Sequence, residues 1–81
     1  MYSKAVAKMI REVKKPKHFT MDVVEHPDYL ELRVYANEIM AMPDNVQQDA
    51  VLYMVKIKSM LAAMGIRAEL GGVAGDPPKS V

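Results

Sequence analysis

PDNVQQDAVLYMVKIKSMLAAMGIRAEL, residues 43–70, is the stretch on which the fold turns. Pro43-Asp44-Asn45 is a helix opening: Asp44 is placed to cap the N-terminus, and Gln47 three residues on completes a capping box. Val46, Ala50, Tyr53, Met54, Ile57, Met60, Leu61 and Met64 then recur at helical spacing and make one broad apolar face. Gly65 is the residue type that ends a helix in the left-handed region. Beyond it the period changes: Ile66, Ala68 and Leu70 alternate with Arg67 and Glu69, which is the pattern of a half-buried strand. A long helix that runs straight into a strand is a crossover unit, and such a helix has to pack on a sheet.

The strands of that sheet lie upstream. Tyr29 to Tyr35 (YLELRVY) alternates cleanly, with Leu30, Leu32 and Val34 on one side and Tyr29, Glu31, Arg33 and Tyr35 on the other. Phe19 to Glu25 alternates as well, and His26-Pro27-Asp28 between the two runs is turn chemistry. The alternation slips at Ala36-Asn37-Glu38, and Ile39 to Met42 reads as a further short strand. Tyr2 to Lys15 has Tyr2, Ala5, Val6, Met9, Ile10 and Val13 at spacings of three and four, so it reads as an amphipathic helix stopped by Pro16. The element order is helix, strand, strand, strand, helix, strand. The expected fold is a small α+β two-layer sandwich: a three- to four-stranded, mainly antiparallel sheet with helices on one face. Residues 1–70 form a single domain, and residues 71–81 (GGVAGDPPKSV) read as a flexible Gly/Pro-rich tail.

Composition removes several function classes. The chain has 81 residues and no cysteine, so disulfides, zinc ribbons and thiol redox chemistry are excluded. No apolar run reaches the length of a membrane span, and the charge-studded start is not a secretory leader, so a cytoplasmic protein with no membrane partner is expected. The two histidines, His18 and His26, do not converge with carboxylates in a metal-ligand pattern, because alternate strand residues point apart and Pro27 bends the chain. No serine or threonine sits in a strained strand-to-helix elbow. The glycines at 71, 72 and 75 lack the Lys-Ser/Thr pair of a phosphate loop. No catalytic residue, cofactor or metal is therefore assigned, and the chain is not expected to be an enzyme.

Binding is the remaining class, and three surfaces offer it. Tyr29, Glu31, Arg33 and Tyr35 share one sheet face, and tyrosine with arginine is the chemistry favoured at protein interfaces. Lys4, Lys8, Arg11 and Lys15 line one side of the first helix, an arrangement suited to phosphates or to an acidic protein surface. Val51, Leu52, Val55 and Ala62 fall outside the core face of the long helix and make a second apolar stripe, so a homo-oligomer, most simply a two-fold homodimer with this stripe at its interface, is expected; cover by the first helix within one chain is the rival. In outline the element order is similar to that of the double-stranded RNA-binding domain. The second helix, however, opens with Asp44-Asn45-Val46-Gln47-Gln48-Asp49, acidic where phosphate would have to dock. The reading is a non-enzymatic protein-binding module, of the kind phages or mobile elements use as accessory proteins that inhibit or redirect a host protein. The alternative is nucleic-acid binding through the basic first helix.

Overall fold

The computed structural model describes residues 2–17 and 19–75. Its elements are α1 (Lys4–Glu12), β1 (Met21–Glu25), β2 (Leu30–Tyr35), α2 (Ala36–Met40), α3 (Asp44–Ala63) and β3 (Ala68–Val73). The sheet has three strands in the order β1-β2-β3. The β1–β2 hairpin is antiparallel, with Met21 opposite Val34 and Glu25 opposite Leu30. The β2–β3 pair is parallel, running from Leu30 opposite Ala68 to Tyr35 opposite Val73. The sheet is therefore mixed rather than mainly antiparallel, and the chain crosses from β2 to β3 through α2 and α3.

Two differences from the sequence reading have plain causes. The third strand expected over residues 38–42 is instead the short helix α2 and the turn after it. Ile39 and Met42 point into the core while Met40 and Ala41 are exposed, a three-residue spacing that belongs to a helical turn. Over so few residues the same apolar letters satisfy either period. Glu38 then fixes α2 in place: its carboxylate accepts from the Thr20 amide and from the Thr20 hydroxyl, the latter at 3.1 Å, at the entry to β1. Second, α1 ends at Glu12 rather than Lys15. The ring of Pro16 is incompatible with a helical carbonyl four residues back, at Glu12, and drives Lys15 out of the helical region. Val13 is already extended, with ψ of 122°.

The ends of the long helix follow the sequence more closely. α3 begins at Asp44 with Pro43 at the capping position, so Asp44 is a first-turn residue and makes no side-chain cap. The Gln47 side chain does reach back, donating to the Met42 carbonyl at 2.8 Å. At the other end Gly65 takes φ of 78°. Its amide donates to Ala62 O at 3.0 Å and the Ile66 amide donates to Leu61 O at 2.9 Å, the paired bonds of a Schellman stop. Ser3 caps α1, accepting from the Val6 amide at 3.2 Å.

The core lies on one side of the sheet. Leu30 and Leu32 of the central strand, Ile57 and Leu61 of α3 and Val6 of α1 are essentially inaccessible to solvent. Met21, Val23 and Val34 from the same sheet face and Met9, Ile10 and Val13 from the α1 segment pack around them. Phe19 meets Tyr53 edge to face with ring centroids 5.9 Å apart. β3 continues through Gly71 and Gly72 to Val73, into the stretch read as tail; residues 76–81 lie outside the described residues.

Candidate protein-binding surface

The sheet face away from the helices carries the row Glu31, Arg33 and Tyr35, with Tyr29 at its end. Three of these four side chains engage within the chain through a polar network. Arg33 donates to Glu31 through Nε at 3.1 Å and through its terminal nitrogen at 3.2 Å. His26 Nε2 lies 2.7 Å from the same carboxylate. Both partners favour the charged form, so the Arg33 guanidinium first and His26 second hold the Glu31 carboxyl down at about 2. The Arg33 guanidinium is pushed up by the same contact. His26 in turn stacks on Tyr29, with ring centroids 4.5 Å apart and planes 15° from parallel, and the Arg67 guanidinium lies 5.6 Å from the Tyr29 ring centre. The Tyr35 hydroxyl donates to Asp22 across the β1–β2 pair, and that bond together with burial raises the Tyr35 pKa.

This network needs a glycine. A Cβ on Gly71 would collide with Glu31 Oε2 and stand 2.8 Å from its carboxyl carbon. Glu31 therefore lies across β3 in space that only a glycine leaves open. The sequence carries no such signal: Gly71 reads there as the start of a tail. The reading of Tyr35 as an exposed docking side chain is corrected, since it is buried, and Tyr29, Glu31 and Arg33 are half-buried.

The basic surface is divided. Lys4, Lys8 and Arg11 are exposed on α1 and share a face. Lys15 lies beyond the end of the helix. Its amine donates to the Phe19 carbonyl and to the Pro16 carbonyl, the latter at 3.1 Å, and sits 4.7 Å from the Phe19 ring centre. It locks the α1–β1 connection and does not extend the basic row, which corrects the four-residue array expected from spacing. Lys8 pairs with Glu12 at 4.0 Å on the open surface, a contact that contributes little.

The long helix is the element left unfinished. Ala50, Ile57 and Leu61 are fully buried on its core face. On the opposite side Val51 is 49%, Leu52 66% and Val55 46% exposed, and Ala62 is exposed as well. α1 does not cover this stripe; it packs on the core instead, which removes the intramolecular rival for it. Two open grooves flank Leu52. One, of about 420 Å³, is walled by Val13, Lys14, Asp49, Tyr53 and Lys56. The other, of about 560 Å³, is walled by Ile39, Asp44, Gln47, Gln48 and Val51. Leu52 is thus a ridge between two hollows.

Among the described residues, no three histidine or acidic side chains converge as metal ligands, and no helix is long and apolar enough to cross a membrane. Comparison with models of known protein families, with curated proteins and with solved structures finds no match.

Proposed function

We propose that the chain acts by binding another protein, and that the contact is made by the outer face of α3. One observation carries the reading. A helix whose inner face is fully buried also presents Val51, Leu52 and Val55 in a contiguous apolar ridge on its outer face. Single exposed apolar residues are ordinary on a protein surface; a ridge of large ones flanked by grooves is the form that interaction sites take. The sheet row of Tyr29, Glu31 and Arg33 is the weaker candidate, because its polar groups already satisfy one another. As a module of this kind the chain needs no catalytic residue, cofactor or metal.

The test is affinity capture on the immobilised full chain at physiological salt, with wild type compared against Leu52→Glu. Specific protein retention by wild type that is lost in the variant is the expected result. Equal retention by both would remove α3 as the contact. Specific DNA or RNA binding that weakens steeply with salt and disappears when Lys4, Lys8 and Arg11 are changed together to Gln would move the function to the basic face of α1.

A further inference from the structure

We infer that the partner seated on the α3 ridge is a second copy of this chain, paired through α3 in antiparallel, two-fold fashion. This rests on the reading of α3 as a protein-binding face and names its occupant. The argument comes from the charges that border the ridge.

Asp49 and Lys56 stand on either side of Leu52 along the helix and line the same groove. They are seven residues apart, close to two helical turns, so they occupy one flank of the ridge about 10 Å from each other. Both are exposed, and neither forms an ion pair with another described residue. A two-fold axis perpendicular to the helix, passing beside Leu52 and Tyr53, reverses the direction of α3 while keeping each flank facing its own counterpart. It therefore sets Lys56 of one copy against Asp49 of the other, twice per dimer. A parallel pairing about the same ridge would turn this flank toward the opposite groove, whose charged wall residue, Asp44, has the same sign as Asp49 and lies about 18 Å along the helix from the level of Lys56, so neither gains a partner there. The surface is thus complementary to itself in one orientation and unmatched in the other, and antiparallel helix dipoles favour the same choice. Lys58 is already paired with Glu69 at 3.8 Å and is not left as an unmatched charge. Apolar contact between the ridges supplies the attraction, and the Asp49–Lys56 pairs set the register.

The pairing is tested by sedimentation equilibrium on the full-length chain, with Asp49→Lys and Lys56→Asp studied alone and mixed. Wild type should be dimeric at high micromolar concentration. Each variant places like charges across the two-fold axis and should shift the monomer–dimer midpoint by roughly tenfold or more to higher concentration. In an equimolar mixture, a chain with two lysines on this flank meets a chain with two aspartates there, so mixing should restore the dimer. Unchanged circular dichroism spectra guard against unfolding, and recovery on mixing cannot come from unfolded chains. A wild type that remains monomeric, or single variants that associate as wild type does, would overturn the proposal. The fate of the binding reading is read separately: protein capture that is still lost in Leu52→Glu while the chain is monomeric keeps the α3 surface and replaces its occupant.

Discussion

Replacing Leu52 with glutamine should leave the fold standing and remove the association. Leu52 is 66% exposed, so only about a third of its side chain is sheltered within the chain. Complete burial of a leucine is worth about 1.5–3 kcal/mol, and the sheltered third therefore contributes about 0.5–1 kcal/mol to folding. A domain of this length has about 4–12 kcal/mol of stability in all, so the variant stays folded. The exposed two-thirds are what a dimer covers, once from each copy. Together they amount to about 2–4 kcal/mol, or a dissociation constant roughly thirty- to a thousand-fold weaker. Leu61→Ala is the control, because Leu61 is fully buried in the opposite face of the same helix. It should cost about 2.7–5 kcal/mol of folding stability, a large share of the total. Urea unfolding of both variants at low protein concentration, with sedimentation of Leu52→Gln across a concentration series, separates the two effects. If Leu52→Gln lowers the urea midpoint as far as Leu61→Ala does, the ridge is part of the core and the reasoning fails.

The other predictions concern the polar face of the sheet. Glu31 is held at about 2 against an ordinary value of 4.5, so its network stabilises the fold above the ordinary value and the contribution is lost as the pH falls from 4.5 toward 2. Acid titration of the Glu31→Gln variant should show a shallower loss of stability over that window than wild type, and equal slopes would refute the assignment. Gly71→Ala should push the Glu31 carboxyl off Arg33 and His26, and carbon-detected NMR titration should then show its pKa rising toward 4.5; an unchanged value would mean the side chain has another resting place. Tyr35, raised by its bond to Asp22, should ionise above the ordinary tyrosine value of 10. Its contribution is present below that value and is lost as the pH climbs through the folded pKa, so Tyr35→Phe should flatten the alkaline limb of the stability profile followed by circular dichroism.

Much of this architecture is legible in the residues. The strand alternation over 29–35, the helical period of 46–61 and the stop at Gly65 are long or chemically specific signals, and the structure follows them. The apolar residues left over on α3 are also visible from angular position alone. What is not legible is short or non-local. Ile39 and Met42 are too few to distinguish a strand from a turn of helix. The parallel partner of β3 could be chosen only once the segment after β2 was known to be helical. The polar row of β2 looks like an open surface because nothing in the sequence brings His26, Asp22 and Gly71 to it. Those three arrive by hairpin register and by the crossover, which are properties of the assembled sheet.

The parallel pairing of β2 with β3 also shapes how the molecule is built. The β1–β2 hairpin closes over a four-residue connection and can form early, but a lone hairpin in water is marginal. Leu30 must then find Ala68 across the whole of α2 and α3, a non-local contact whose entropic cost falls before any reward arrives. α3 eases that search. Its 20 residues, once helical, form a rod about 30 Å long that carries the strand behind it as a rigid arm rather than a floppy chain. Substitutions that weaken the helix itself, such as glycine at the exposed Ser59, should therefore slow refolding, whereas changes confined to the β3 backbone should act mainly on the rate of unfolding.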